Sequence, residues 1–190
     1  MENYLAHYGV KGMKWGVRKD KVFVSGSSKT QFKKSGYYRK SLHKKVRNEL
    51  DSFMKKGDRI LIGEAPGIDT QVQRYLKSKN YKNVTVYTSF DKPRFLADTS
   101  WKVKKVNAKG FAPGSSEHLR QKDIAMTNDS SKGFAVVLEN GGAGATRNNV
   151  QRLINQNKDV KVFELGVNDD FINDLKTQFD LSIKIQNGGD

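Results

Sequence analysis

The stretch GFAVVLENGGAGATRNN, residues 133–149, decides the fold. Its first part, 133–139, is apolar and β-branched, which is typical of a buried strand. Three glycines come next, and a helical pattern begins at about residue 145. A buried strand that passes through a glycine-rich turn into a helix is half of a parallel βαβ unit. The sequence therefore predicts an α/β fold.

The same alternation extends in both directions from this stretch. Between the strands, apolar residues recur at helical spacing, as Val46, Leu50 and Phe53 do. The predicted strands are 21–25, 59–63, 83–88, 133–139, 160–165 and a final LSIKI at 181–185. The predicted helices are 37–56, 67–79, 116–129, 145–156 and 169–179. This order predicts a Rossmann-like three-layer sandwich, in which helices cover both faces of a mostly parallel sheet of five or six strands.

Two regions do not follow the alternation. Residues 1–19 precede the first strand and are expected to form a short flexible tail outside the fold. Residues 89–115 show no convincing period and carry two of the three prolines together with several basic side chains. A long loop within a compact domain is usually functional or disordered. The expected organisation is a tail over 1–19 and one Rossmann-fold domain over 20–190, with a basic loop at 89–115.

The composition excludes several classes of protein and of site. The chain of 190 residues has no cysteine, which rules out disulfides, thiolate metal sites and thiol nucleophiles. No apolar run approaches the roughly 20 residues that cross a bilayer, so no membrane partner is expected. His7, Lys11 and Lys14 interrupt the apolar part of the N-terminus, so a secretion signal is not expected. These features predict a protein of the cytoplasm or of a particle.

The chain is strongly basic. It has 35 lysines and arginines against 20 acidic residues, a net charge of +15, and the first third holds most of the excess. Such a charge attracts polyanions without sequence recognition. Nucleic acid, a nucleotide phosphate and an acidic protein surface would each serve as the partner, and a merely solvated cationic face is the alternative.

Candidate binding residues follow two of the predicted strands. In an open parallel sheet, ligands bind beyond the carboxyl ends of the strands, near the point where the strand order reverses. After the first strand, Ser25, Gly26 and Ser27 offer a tight turn with hydroxyl and N–H groups for an anion, unless they only turn the chain. The turn after 133–139 matches neither the G-x-G-x-x-G spacing nor a Walker loop. It nevertheless predicts a phosphate site at a helix start, formed by Glu139, Asn140, Gly141, Gly142, Gly144 and Thr146.

Candidate catalytic residues follow the strand 59–63. Gly63 and Gly67 allow a close backbone approach and are predicted to bind the ligand. Asp69 stands where a carboxylate faces the free N–H groups of a helix start, so a capping role is the alternative to a catalytic one. Glu64 directly follows a buried strand and has no structural role that the sequence reveals. We expect it to bind a ribose hydroxyl or to assist cleavage at a sugar carbon as acid, base or electrostatic stabiliser.

No metal site, cofactor or catalytic triad is expected. His7, His43 and His118 show no ligand-like spacing and are expected at the surface. Ser25 and Ser27 lack a nearby candidate base, so a serine hydrolase is not predicted.

Four separated stretches carry a resemblance to a known superfamily. They are KVFVSGSS, GEAPGIDTQVQRYL, KDIAMT and GFAVVLENGGAGATRNNV, in this order along the chain. Over residues 21–165 the chain resembles the SLOG superfamily, Rossmann-like proteins that include the cytokinin-activating "lonely guy" phosphoribohydrolases. The resemblance is greatest to a group of uncharacterised bacterial members. It implies a Rossmann-like fold and a nucleotide or nucleotide-derived ligand.

The chain departs from the pattern of that superfamily at three places. Glu64 replaces the usual aspartate after the strand-end glycine. The later turn, commonly WDGKSxGT, is LENGGAGAT here and keeps Gly144 and Thr146. Asn149 stands where the active phosphoribohydrolases close their PGGxGTxxE motif with glutamate. The resemblance therefore implies nucleotide binding more directly than hydrolysis.

The stretch HYGVKGMKWGVRK, residues 7–19, carries a separate resemblance. Its histidine, its three glycines and its Met-Lys-Trp-Gly core resemble a short motif at an end of many tailed-phage and prophage proteins, especially those encoded among head-assembly genes. This resemblance implies association with the capsid or its precursor. Three closely spaced glycines disfavour a helix, and Tyr8, Met13 and Trp15 are typical interface anchors, so these three are the predicted docking residues.

Three functional hypotheses stay open. In the first, a phage or prophage protein, in the host bacterial cytoplasm or on the virion, binds a nucleotide-derived ligand, either with cleavage of its N-glycosidic bond, as by a phosphoribohydrolase-like hydrolase, or without it. In the second, the body keeps the fold without a ligand and acts as a virion structural or interaction protein that contacts packaged DNA. In the third, it sequesters a host signalling nucleotide as a counter-defence protein. A homodimer is the expected assembly, because members of the superfamily often pair through their helices.

Overall fold

The structure of the protein is a computed structural model that describes residues 19–27, 42–138 and 144–165. Its strands are β1 (Lys21–Gly26), β2 (Arg59–Ile62), β3 (Val84–Thr88), β4 (Lys102–Lys105), β5 (Lys132–Leu138) and β6 (Val160–Leu165). Its helices are α1 (Lys44–Lys56), α2 (Ile68–Ser78), α3 (Ser116–Asp129) and α4 (Gly144–Asn155).

The described strands form one parallel sheet in the order β4-β3-β2-β1-β5-β6. Phe23 of the central strand β1 lies in register with Leu61 of β2 on one side and with Gly133 of β5 on the other. The chain builds outward from β1 through β2 and β3 to β4, and then returns to the opposite side of β1 with β5 and β6. The strand order therefore reverses between β1 and β5.

Helices cover both faces of the sheet. On one face, α1 and α2 pack against Val22 and Val24 of β1 and against the residues of β2 and β3 in the same orientation. On the other face, α3 and α4 bring Met126 and Leu153 against Phe23. Successive residues of a strand point to opposite faces, so β1 is buried on both sides and reads as a continuous apolar run. The predicted Rossmann-like three-layer sandwich is confirmed, with an all-parallel arrangement of its six described strands.

Local capping sets the ends of α1 and α3. The helix predicted over 37–56 begins, within the described residues, only at Lys44, because Leu42 and His43 are not helical and His43 is its cap. Nδ1 of His43 accepts a hydrogen bond from the N–H of Lys45 at the start of α1, at 3.2 Å. α1 ends at Gly57, whose φ of 72° is left-handed and suits glycine. Oγ of Ser115 accepts from the N–H of His118 at 3.2 Å, so α3 begins at the predicted residue.

The stretch 89–115, expected from the sequence to be one long loop, contains β4. Strand β4 reads KVKK and lies at an edge of the sheet, where Val103 is 39% exposed. Such a strand buries too little apolar surface to give a sequence signal. Buried Gln73 also fixes the segment before β4: its side chain donates to the carbonyl oxygen of Gly63 at 2.7 Å and accepts from the N–H of Ala97 at 3.0 Å.

Several predicted elements lie outside the described residues. They are the first part of the helix predicted over 37–56, the helix predicted over 169–179 and the strand predicted over 181–185. None of the helices in the described part of the chain has the length and the apolar content that would be needed to cross a membrane.

Candidate functional site

A cavity of about 240 Å³ lies at the carboxyl end of β1, the strand beside which the strand order reverses. Such a reversal point opens a crevice between the loops of neighbouring strands, and ligands of doubly wound sheets bind there. The lining combines the end of β1, the start of α4, the middle of α3, the first turn of α2 and two loop residues: Ser25, Gly26 and Ser27; Gly144, Ala145, Thr146 and Asn149; Leu119, Lys122, Asp123 and Met126; Asp69; Ala65 and Arg94. Phe23 and Val24 of β1 also line the cavity.

The end of β1 packs directly against the start of α2. A Cβ atom on Gly26 would lie 2.4 Å from Cγ2 of Ile68, so only glycine fits at this position. The N–H of Ile68 also donates to the carbonyl oxygen of Ser27 at 3.2 Å. The sequence identified Gly26 as a turn glycine, and the structure shows that its lack of a side chain serves this helix–strand contact.

Ser27 presents a hydroxyl that the described residues do not use. The residue is 2% exposed and lines the cavity, and its Oγ has no hydrogen-bond partner in the described part of the chain. An unpaired buried hydroxyl is costly unless a ligand or water completes it. Ser25, in contrast, accepts a hydrogen bond from Nδ2 of Asn149 at 2.9 Å.

The first turn of α4 forms the opposite wall of the cavity. Gly144, Ala145 and Thr146 line it, and Thr146 is buried. The first N–H groups of a helix have no partner within the helix and carry the positive end of its dipole, so this wall favours an anion. The other members of the predicted phosphate turn lie outside the described residues: Glu139, Asn140, Gly141 and Gly142.

A buried lysine stands at the floor of the site between carboxylates. Lys122 of α3 is 5% exposed, and its Nζ lies 2.7 Å from Oδ1 of Asp123. A Cβ atom on Gly63 would lie 2.4 Å from Oδ2 of Asp69 and 3.2 Å from Nζ of Lys122, so the lysine and Asp69 approach the same point. The absence of a side chain at Gly63 leaves the space that these two groups occupy.

Burial and charge set the protonation of this cluster. Burial raises the pKa of Asp69 to about 6, although the Lys122 ammonium opposes the rise and the Asp123 carboxylate adds to it. For Lys122, burial alone would lower the pKa, but the carboxylates of Asp123, Asp69 and Glu64 outweigh burial and raise it. Lys122 is therefore an ammonium, and Asp69 is a carboxyl group that exchanges a proton close to neutral pH.

Asn149 links the two walls of the site. Its Nδ2 donates to Oγ of Ser25 at 2.9 Å and approaches Oδ2 of Asp123 at 3.4 Å, and its Oδ1 accepts from Arg152. The Asn149 amide nitrogen thus contacts side chains of β1 and α3, and the hydrogen bond from Arg152 to its oxygen fixes its orientation. Asn149 is a fixed neutral group at the position where the resemblance expects a glutamate.

Glu64 lies behind the cavity wall. Its side chain is fully buried, Oε2 accepts from the backbone N–H of Arg94 at 2.5 Å, and Oε1 lies 3.4 Å from Nε of the same arginine. Glu64 does not belong to the described lining of the cavity, whereas Arg94 does. The structural role that the sequence left unassigned is therefore to fix Arg94 at the site.

Asp69 combines its place in the cavity with a local structural role. Its Oδ2 accepts from the N–H of Ala65 at 3.1 Å, which ties the loop after β2 to the first turn of α2. Gly67 precedes that helix with a φ of 110°, a conformation that L side chains rarely adopt. The helix start has no side-chain cap, so the bond of Asp69 to the loop replaces the capping role considered from the sequence, and this bond is compatible with a place in the cavity.

Sequence reasoning gave no role to three lining residues: Lys122, Asp123 and Arg94. The first two belong to the KDIAMT stretch, which marked the resemblance only, and charged residues in a helix ordinarily face solvent. Arg94 lies in the stretch expected to be a loop. One pattern could have identified Lys122 and Asp123. Both lie on the face of α3 that carries Met126, and that face packs on the sheet, so the pair could have been expected to be buried.

Two further predictions concern groups outside this cavity. The predicted docking residues Tyr8, Met13 and Trp15 lie outside the described residues. Within the described ranges, no group of three or more histidine, cysteine or acidic side chains is arranged to hold a metal ion.

The comparisons with known proteins bear on the N-terminus. A family model described as a family of unknown function (DUF7211) matches residues 1–22. A search of curated proteins finds no match to this chain, and a search of solved structures also finds none. The matched segment contains the motif at 7–19 and none of the residues that line the cavity.

Proposed function

We propose that the domain binds a nucleotide or a related phosphorylated ribose compound, with its sugar phosphate in the cavity at the carboxyl end of β1. The observation that carries this proposal is the division of that one cavity into a donor-rich wall and a carboxylate-lined floor. A phosphate needs hydrogen-bond donors, and the hydroxyls of a sugar bind well to carboxylates. A sugar phosphate carries a phosphate and hydroxyl groups a short distance apart, so it matches both parts of the cavity.

The phosphate would lie between the end of β1 and the first turn of α4. Thr146 and the helix N–H groups supply donors on one side, and the unused hydroxyl of Ser27 supplies one on the other. Arg94, which Glu64 holds in place, adds a positive charge to the lining. These groups favour an anion without any sequence motif of the dinucleotide or Walker type.

The sugar would lie over Asp69 and Asp123. Lys122 pairs with Asp123 and lies close to Asp69, so the ammonium offsets the repulsion between two carboxylates that share a buried site. Carboxylate oxygens accept hydrogen bonds from hydroxyls, and charged acceptors give stronger bonds than neutral ones. The floor therefore suits the hydroxyls of ribose.

Calorimetric titration with ribose 5-phosphate tests the binding proposal. Ser27→Ala removes a hydroxyl that has no described partner, so the fold loses nothing, while the affinity for ribose 5-phosphate is expected to fall about tenfold, as for a lost hydrogen bond to a charged group. Ser78→Ala, at the exposed end of α2, is the matched control and should bind like the wild type. The proposal fails if ribose 5-phosphate does not bind, or if both variants bind equally well.

Cleavage of the N-glycosidic bond is a second candidate, and the pKa of Asp69 favours it. A carboxyl group whose pKa is about 6 can give a proton to a leaving base near neutral pH, and such acid–base catalysis contributes roughly 10²–10⁴-fold. Release of free base from nucleoside 5′-monophosphates is the measurement. Asp69→Asn should lower the rate of base release at least a hundredfold, while ribose 5-phosphate still binds. Ligand binding without any base release by the wild type would leave the domain a binder only.

We also propose that residues 1–19 attach the protein to a phage head or its precursor. The support is the phage-type motif at 7–19, within the segment that the family model matches. The domain would then act on its ligand in the host bacterial cytoplasm or on the virion.

A further inference from the structure

A second cavity, of about 370 Å³, lies beyond the carboxyl ends of β3 and β4. It is bounded by the loop after β3, the segment after β4 and the start of α3, and none of its lining residues lines the first cavity. Its walls combine aromatic rings with polar groups, chiefly Ser89, Phe90, Phe111 and His118.

Aromatic rings form two sides of this second cavity. The rings of Phe90 and His118 lie against each other, with centroids 4.8 Å apart and planes inclined by 56°. Phe111 belongs to the same lining and is 40% exposed, which is unusual for a large apolar side chain in the described part of this chain. An aromatic face left in water at a cavity mouth is suited to stack a planar ring.

Two buried polar side chains at the cavity have no partner within the described residues. Ser89 is 6% exposed, and neither its Oγ nor Nδ1 of His118 makes a hydrogen bond there. His118 is 5% exposed, so the surface position expected for it from the sequence is wrong. Buried polar atoms are ordinarily satisfied, so an unmet donor or acceptor indicates a group that the structure does not contain. A ring with hydrogen-bonding atoms on its edge would satisfy both.

The charges at the cavity do not indicate an anion. Lys105 at its rim is paired with Asp91, and both side chains are largely exposed, so the pair adds little charge to the cavity. Lys109 lies at the rim as well and is exposed. An uncharged heterocycle therefore fits the second cavity better than a phosphate does.

The two cavities share a wall. The guanidinium of Arg94, which lines the first cavity, lies 4.9 Å from the ring centre of Phe90, which lines the second. On α3, His118 lines the second cavity and the next residue, Leu119, lines the first. The first cavity, at about 240 Å³, is smaller than the roughly 300–1,000 Å³ of usual small-molecule sites. A whole nucleotide needs more space than the first cavity has.

We propose that the second cavity is the nucleobase subsite of the ligand whose sugar phosphate lies in the first. This inference rests on the proposed function. Phe111 stacks on the base, and Ser89 and His118 bind its polar edge. Arg94 and Phe90 stand at the junction, where the glycosidic bond of the ligand crosses from one cavity to the other.

Titration with ribose 5-phosphate and with AMP, GMP, CMP and UMP tests the inference. At least one of the four nucleotides should bind about tenfold tighter than ribose 5-phosphate, the gain expected from stacking one base. Phe111→Ala should remove most of that gain and leave the affinity for ribose 5-phosphate unchanged. Val103→Ala, at an apolar side chain that is 39% exposed and lies outside the cavity, is the control and should keep the gain.

The outcomes separate this inference from the proposed function. If ribose 5-phosphate binds and no nucleotide binds tighter, the base subsite is wrong and the proposed function stands. If a nucleotide binds tighter but Phe111→Ala keeps the gain, the subsite lies elsewhere and the inference is again wrong. If ribose 5-phosphate does not bind, the proposed function fails, and the inference that rests on it fails as well. Ser89→Ala offers a second variant, which should weaken the preferred nucleotide only.

Discussion

At Asp69, burial and charge act in opposite directions on a single carboxyl group. Burial raises its pKa from the ordinary 3.8 to about 6, against the attraction of the neighbouring Lys122 ammonium. The folded protein therefore holds a proton on Asp69 at a pH at which the unfolded chain has lost it. Between those two values the unfolded state binds fewer protons, so stability falls as the pH rises.

We expect this titration to appear in the pH dependence of unfolding. Relative to Asp69→Asn, which does not ionise, the wild type should lose on the order of 3 kcal/mol of unfolding free energy between about pH 4 and about pH 7, at about 1.4 kcal/mol for each pH unit between the two pKa values. Urea denaturation at several pH values measures it. A difference between the two proteins that does not change with pH would show that Asp69 titrates normally.

At the scale of elements, the close contact between β1 and α2 restricts position 26 to glycine. Gly26→Ala would place a methyl group 2.4 Å from Ile68 in a contact between a strand and a helix that are both buried. Overpacking of this kind costs about 1–3 kcal/mol. We expect the urea midpoint of Gly26→Ala to fall accordingly. Gly144→Ala, where a Cβ atom meets nothing within 4 Å, is the control and should stay within about 0.5 kcal/mol of the wild type.

Most of the elements that the sequence predicted are those whose apolar residues recur with the spacing of a strand or of a helix. β1 and β5 were predicted almost to the residue, because each packs an apolar pattern into the core. α3 was predicted as closely, although four of its five buried residues are polar: His118, Lys122, Asp123 and Thr127. β4 was missed because three of its four residues are lysines. Its position depends instead on backbone pairing with β3 and on neighbours such as buried Trp101, whose Nε1 donates to the carbonyl of Tyr81 at 2.8 Å. Such long-range contacts leave no local pattern.

At the scale of the whole molecule, the parallel sheet explains which part of the site could be predicted. Carboxyl ends of parallel strands meet at one edge, so residues after β1 and at the start of α4 were expected to converge, and Ser27 and Thr146 do line one cavity. Lys122 was not predicted, because the adjacent Asp123 was the only local sign of its burial, and the other carboxylates around it, Asp69 and Glu64, come from a distant part of the chain. From the sequence, Glu64 was expected to take part in binding or catalysis. Its contact with Arg94 could not be predicted, because the two residues lie 30 positions apart in the chain.

The net charge and the N-terminal motif are properties of the whole molecule, and they predict that the protein acts while attached to a phage particle. Three glycines in the motif at 7–19 would each cost about 1 kcal/mol in a helix, so we expect this segment to serve attachment rather than stability. Deletion of residues 1–18 should leave the melting temperature nearly unchanged, because β1 and the core it begins stay intact. A large fall in melting temperature would contradict this expectation.

Trp15→Ala tests the attachment itself, because aromatic anchors dominate the energy of interfaces. In the strain that encodes the protein, the tagged wild type should sediment with phage particles after induction, and Trp15→Ala should remain in the supernatant. Tyr4→Ala, in the same segment but outside the motif at 7–19, is the control and should sediment like the wild type. If Trp15→Ala sediments as well, attachment depends on the basic domain instead, and raising the salt concentration should then release all three proteins together, since screening weakens contacts made by charge alone.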